Sequence, residues 1–436
     1  MLVSSLWINF RLCLILLFIF IIIGINRNVQ QPESPGSQEG QLIIEFQNGK
    51  WFNGTEFVNQ TFYSENGFLR NSRPAQVDSV IDLTGSWIVP PYGEAHNHNV
   101  EAPDRLDALI DRYLENGVFY VKNPNVLPES VAKIRDKVNN PSSIDVSFAF
   151  GGFTGPGGHP SGVVERNIRR GIWTEADGEG AFYYEIANKQ DLDRKWPDFM
   201  NHNPDFVKAY LLYSEEYEAR AGDDQFIGWR GLNPDLLQEL TRRAQSSGLR
   251  VSVHVETARD FRYAIEGGVD EINHLPGFRG NEENQFPDPD LFRLVSQDAV
   301  RAAEKGIVVV TTLGNFDDLD DTATAQRAND IFRWNLNLLK KHGVKITIGS
   351  DSYSSTDVEE AFQVYNLDVF SNLELLKILV EETPKTIFPN RKIAHLEDGY
   401  EASFLALKEN PLEDFSAIND IWQRMKQGVI LGPVKN

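Results

Sequence analysis

RVSVHVETARDFRYAIEGGVDEINHLPG, residues 250–277, is the stretch that decides the fold. It opens on a short β-type run ending at His254, passes through a helical stretch over 257–267, and closes on a second β-type run ending at His274. Strand, helix and strand in about thirty residues make a βαβ unit, and its crossover forces the two strands to run parallel. Two histidines that end parallel neighbours lie on the same rim of one sheet.

The alternation continues on both sides. Upstream lie SWIVPPYGEAH, GVFYVKN, IDVSFAFGG and DFVKAYLLY; downstream lie GIVVVTTLG and VKITIGSD. Helical candidates fall at 234–247, 295–305, 324–342 and 357–369. The β-type runs read as apolar throughout, as expected for parallel strands covered on both faces. Counted from SWIVPPYGEAH there are eight units, which predicts an α/β fold of the (β/α)8 TIM-barrel type. A doubly wound open sheet is the alternative, because periodicity does not see closure. Short strands and turns precede this region at 41–89 and follow it at 391–436, and the two segments are expected to form a small β-sandwich domain beside a barrel spanning 90–390.

The chemistry sits where the strands end. Only eight histidines occur, and four close β-type runs: His96, His98, His254 and His274. Side chains at i and i+2 of a strand share a face, so His96 and His98 can grip one ion. Barrel enzymes place their working residues at the C-terminal ends of the strands. Asp351 ends the last run, where a carboxylate can ligate a metal and take a proton from water the metal has acidified; capping the next helix is its other reading. Lys208 lies inside an apolar run. Burial favours its neutral amine, which reacts with carbon dioxide to give an anionic carbamate; snorkelling to the rim or pairing with a carboxylate is the alternative. His202, His342 and His395 fall in loop or helix contexts and read as structural or exposed.

Bulk properties narrow the function classes. A hydrophobic fraction of 41% and a charged fraction of 24% are those of a folded soluble domain. The net charge of −21 repels phosphate backbones and anionic bilayers, so no nucleic-acid partner is expected. Residues 12–25, LCLILLFIFIIIGI behind Arg11, predict an export signal or an uncleaved membrane anchor over 1–26, and residues 27–40 a flexible linker. The product would be periplasmic, secreted or held at the outer face of a membrane. Cys13 is the single cysteine, so any metal must be held by nitrogen and oxygen.

H-x-H on the first strand, Lys on the fourth, His on the fifth and sixth and Asp on the eighth together resemble the amidohydrolase superfamily, its imidazolonepropionase-like and prolidase-like branch in particular. VIDLTGSWIVPPYGEAHNH, FVKAYL, the 250–277 segment and NPLEDFSAINDIWQRMKQGVIL carry the likeness, which covers most of the chain after residue 40. Pro90-Pro91-Tyr92-Gly93-Glu94 and GYEASFLAL depart from the family's usual patterns, though neither removes a ligand. The resemblance implies a binuclear centre, commonly zinc, with iron or manganese fitting the same ligands. His96, His98 and Asp351 would hold one ion, His254 and His274 the other, and carboxylated Lys208 would bridge them. It further implies a metal-activated hydroxide that attacks a carbonyl, with Asp351 as the general base. In the glycine-rich loop GGFTGPGGHP, which lacks the Lys-Ser/Thr of a phosphate loop, the resemblance makes His159 a residue that contacts substrate or handles a proton, with turn stabilisation as the alternative. Tyr210 and Tyr213 follow Lys208 and are placed to hydrogen-bond substrate. Arg230 and Arg259 are positional candidates for pairing a substrate carboxylate.

The leading expectation is therefore a hydrolase of C–N bonds in an amide, dipeptide or cyclic amide, acting on a small molecule or short peptide. Ester, lactone or phosphoester hydrolysis on the same metals is a second reading, and a non-catalytic exported binding protein a third. A homo-oligomer is expected, although no residue pattern derives it.

Overall fold

The computed structural model describes residues 42–277, 288–314 and 322–432; the export segment and linker expected over 1–40 lie outside them. No helix among the described residues is long and apolar enough to cross a membrane.

The first segment supplies β1 (Ile44–Phe52), β2 (Phe57–Glu65), β3 (Phe68–Arg70), β4 (Ser79–Asp82) and β5 (Trp87–Val89). The parallel strands follow: β6 (Tyr92–Glu94), β7 (Val118–Asn123), β8 (Asp145–Phe148), β9 (Gly152–Thr154), β10 (Tyr183–Glu185), β11 (Phe206–Tyr210), β12 (Arg250–His254), β13 (Glu271–Asn273), β14 (Val308–Val310) and β15 (Lys345–Thr347). The tail returns as β16 (Phe404–Leu407), β17 (Ile421–Lys426) and β18 (Val429–Leu431).

Strands β6, β7 and β8 form one parallel sheet, and β10-β9-β11-β12-β13-β14-β15 a second of seven strands. Backbone hydrogen bonds join the two sheets at both flanks. Ala95 donates to the Ile348 carbonyl at 2.9 Å and Asp351 to the His96 carbonyl at 2.7 Å, while Asp205 donates to the Phe148 carbonyl at 2.9 Å. The crossover helices are amphipathic. Helix Ala258–Gly267 starts on a capping box between Thr257 and Asp260, buries Phe261, Ala264 and Ile265, and stops at the left-handed Gly268.

The strands depart from the expected all-apolar pattern. Val207, Ala209, Val251, Val253 and Ile272 join the large core under the helices. The intervening Lys208, Tyr210, Ser252, His254, Glu271 and Asn273 point the other way, and all are buried. A polar row hidden by pairing across strands explains why short runs looked uniformly buried.

The N- and C-terminal segments do meet. β5 pairs with β1 on one side and antiparallel with β16 on the other, making a single connected sheet of eight strands. Trp51, Phe46, Phe62 and Phe404 form its separate aromatic core. Where this sheet abuts the start of β8, Asp145 receives Lys426 Nζ at 2.7 Å and Arg391 Nη1 at 2.8 Å, and Arg391 also pairs with Glu401 at 2.7 Å.

Candidate metal centre

His96, His98, His254, His274 and Asp351, expected from the strand ends, and Lys208, expected from its place inside an apolar run, line one cavity of about 210 Å³. Asn125, His159, Pro160, Val163, Phe182, Tyr210 and Tyr353 complete its wall. The imidazoles crowd together, with ring centroids 4.8 Å apart for His96 and His274, 4.3 Å for His254 and His274, and 5.2 Å for His96 and His98. Asp351 Oδ1 lies 3.1 Å from His98 Nε2 and 3.4 Å from His96 Nε2. Donor atoms of His96, His274 and Asp351 fall within 4.8 Å of one another.

Local structure explains the convergence. The β6 end is pinned to the β15 end by Glu94, whose carboxylate accepts from the backbone N of Ser350 at 2.9 Å, the Ser350 hydroxyl at 2.8 Å and the His96 backbone at 3.2 Å. Burial raises the Glu94 carboxyl to about 7, against those hydrogen bonds. His274 and Asp351 take left-handed backbone angles, φ 76° and 50°, which turn them off their strands into the cavity. A non-glycine residue there costs of order 1–3 kcal/mol, a strain that clusters at functional sites. Asp351 does not cap the next helix, whose N-cap is Thr356.

The outer ring nitrogens are held from behind. His274 Nδ1 meets the Thr312 hydroxyl at 2.6 Å, and His254 Nε2 meets Glu256 Oε1 at 3.0 Å. Such partners fix which nitrogen faces inward. Burial, then the Lys208 charge, pulls His96 down to about 3, and burial with His254 and His96 keeps His274 well below its usual value. Asp351 is held well below the usual carboxylate range: burial opposes its charge, and the electrostatic pull of His96, followed by the hydrogen bonds from His96 and His98, outweighs that. Imidazoles and a carboxylate that converge on one largely buried cavity are a nitrogen and oxygen donor set suited to a divalent cation.

The substrate candidates divide. The His159 ring stacks on His254 at 5.3 Å, and the Tyr210 hydroxyl donates to Asn125. Tyr213 is outside the cavity wall, its ring under the Arg220 guanidinium at 3.9 Å. Arg230 donates to the carbonyls of Arg220 and Ala221 at 2.9 and 2.8 Å, and Arg259 lies against Tyr263, so neither lines the cavity. His202 stands near Phe150 and His395 near Tyr400, both away from the cavity, and His342 follows helix Thr322–Lys341.

No protein-family model matches the chain. Over 215 residues it is 24% identical to ochratoxinase of Aspergillus niger, an alignment taking in 46% of this chain and 43% of that protein. Over 305 residues it is 23% identical to imidazolonepropionase of Pseudomonas putida, taking in 64% of this chain and 67% of that one. The chain thus spans less than half the length of the ochratoxinase it matches. Among solved structures, an amidohydrolase superposes with a TM-score of 0.69 at 18% identity, covering 90% of this chain and 99% of that one. A prolidase complexed with N-methylphosphonate-L-proline gives 0.67 at 16%, covering 90% and 100%, and A. niger ochratoxinase gives 0.69 at 16%, covering 89% and 95%. The chain shares the fold of these amidohydrolase, prolidase and ochratoxinase structures.

Around this cavity, sequence reasoning passed over Glu94, Asn125, Glu256, Thr312 and Tyr353. Glu256 carried a usable signal, because it follows His254 at the same i+2 spacing that marked His96 and His98. Tyr353 carried none: it stands 64% exposed in a loop, yet its ring stacks on His98 at 5.7 Å.

Proposed function

We propose that the chain is a metal-dependent hydrolase of C–N bonds in small amides, dipeptides or cyclic amides, built on a closed (β/α)8 barrel with a β-sandwich-like module beside it. The hydrogen bonds at both flanks of the parallel sheets support closure. The single observation that carries the activity is the gathering of the six residues around one cavity at the C-terminal ends of the strands. In this reading His96, His98, His254, His274, Asp351 and a carboxylated Lys208 would together hold two divalent ions. Zinc suits the donor set. Two such ions, when bound, polarise a carbonyl and lower the pKa of water towards ~7.

The chain's own groups do the rest. Asp351 Oδ1 takes the proton of the attacking water and delivers it to the leaving nitrogen. His159 and Tyr210 line the same cavity; His159 orients the substrate carbonyl, while the Tyr210 hydroxyl, its proton given to Asn125, offers only its lone pairs to a substrate N–H. The prolidase neighbour, complexed with N-methylphosphonate-L-proline, supports a ligand of dipeptide size. Export through residues 12–25 completes the proposal.

The test is elemental mass spectrometry of the purified full-length chain, followed by amide and ester panels. About two zinc ions per chain and turnover of amides are expected. Turnover of esters alone would replace the substrate class, and a well-folded chain that binds no zinc would leave a binding protein. Asp351→Asn should cut hydrolysis by about 10²–10⁴-fold while circular dichroism stays unchanged; full activity in that variant would remove Asp351 from the mechanism.

A further inference from the structure

From Lys208 runs a buried polar chain whose other members, Lys122, Ser252, Glu271 and Asn273, have no task in the chemistry above. Strand register sets Lys208, Ser252 and Glu271 in one row across β11, β12 and β13, with Asn273 beside His254 in the next. Lys122 reaches the row from β7, donating to Glu271 Oε1 at 2.6 Å and to the Ser252 hydroxyl at 2.8 Å. Ser252 donates to the same carboxylate oxygen at 2.6 Å, and Asn273 Nδ2 donates to it at 2.8 Å. Lys208 Nζ then donates to Asn273 Oδ1 at 2.6 Å. None of the five side chains belongs to a residue more than 4% exposed.

An amide has one donor end and one acceptor end. With its NH2 committed to the Glu271 carboxylate, Asn273 can offer Lys208 only its carbonyl oxygen. A flipped amide would set oxygen against carboxylate and N–H against N–H. Lys122 and Ser252 fix the carboxylate in turn, so the orientation of Asn273 is set by the whole network.

We infer that Asn273, oriented by Glu271 and Lys122, is the positioning residue that holds Lys208 for carbamate formation and fixes the plane of the carbamate. This rests on the reading of Lys208 as a carboxylated ligand. In that step the neutral ε-amine attacks the carbon of CO2, an N–C bond forms, one C=O electron pair moves onto oxygen, and one proton leaves nitrogen for water. The carbamate keeps a single N–H, and a single preset acceptor suffices to orient it. With Asn273 Oδ1 taking that hydrogen, the carbamate oxygens are kept away from Asn273.

The test uses the full-length wild type, Asn273→Leu, and the double variant Lys122→Met/Glu271→Met, each incubated with ¹³C-bicarbonate and zinc. The double variant removes the lock while leaving Asn273 in place, and apolar replacement of a buried pair is commonly tolerated. Carbon NMR reads the carbamate, elemental mass spectrometry the zinc, and circular dichroism the fold. The wild type should show the carbamate resonance and about two zinc ions. Asn273→Leu should lose the resonance at least tenfold and keep at most one ion, and the double variant should show a loss of several-fold, with the fold retained. Folded variants with wild-type carbamate and zinc would overturn the positioning role alone. A wild type without carbamate would overturn the reading of Lys208 and this inference together.

Discussion

Gly349 shows how little room the site leaves. A Cβ built there would come within 2.6 Å of Val310 Cγ1 and 2.8 Å of both the backbone N and the Cβ of His96. Two of those atoms belong to His96, one of them main chain, so they cannot swing aside as a flexible side-chain end would. Gly349→Ala should therefore displace His96 itself, costing about 1–3 kcal/mol by urea unfolding. Zinc retention should weaken in the same variant. A variant that unfolds earlier but holds zinc as tightly as wild type would show that His96 is not a ligand.

At the scale of elements, the helix Asp357–Asn366 carries a buried carboxyl that the strands do not need for catalysis. Glu360 accepts from the Leu313 backbone at 2.9 Å, and burial, against that bond, raises it to about 8. A carboxyl raised in the fold binds its proton more tightly there than in the unfolded chain, so its contribution is complete below the unfolded value of ~4.3 and is lost as pH climbs through about 8. Wild type should lose melting temperature between pH 6 and 9 faster than Glu360→Gln; parallel curves for the two would refute the assignment. Elements also mark what the sequence made legible. The βαβ order and the cavity residues could be read because five of the six sit where β-type runs stop, and Lys208 because it interrupts an apolar run. The buried polar network could not, because Lys122 and Glu271 are 149 positions apart and each alone reads as an exposed charge. Tyr213 and Arg230 were placed by their position in the chain, which says nothing of direction; one ring turns under Arg220 and the other side chain turns to backbone carbonyls.

At the scale of the molecule, the join between the eight-stranded sheet and the start of β8 depends on charges rather than on apolar contact alone. Lys426 is fully buried and donates to Asp145 Oδ1 and to the Asn140 carbonyl, both at 2.7 Å. Asp145→Ala should cost about 3–5 kcal/mol, since it strands a buried ammonium. Asp145→Leu/Lys426→Met should recover much of that loss, and a double-mutant cycle from urea melts measures the coupling. Additive losses would mean that the two groups stabilise the fold independently.

The pairing of β5 with β16 also sets a timetable. Val89 and Leu405 are register partners, yet one leaves the ribosome long before the other. At about 5–20 residues per second the wait is roughly 15–60 seconds, during which the flank of β5 that β16 will occupy stays open. An open strand edge is a template for pairing with a neighbouring chain. Nascent chains on the same message therefore carry this edge side by side, and whatever slows synthesis of the last part of the chain lengthens the interval in which they can capture one another.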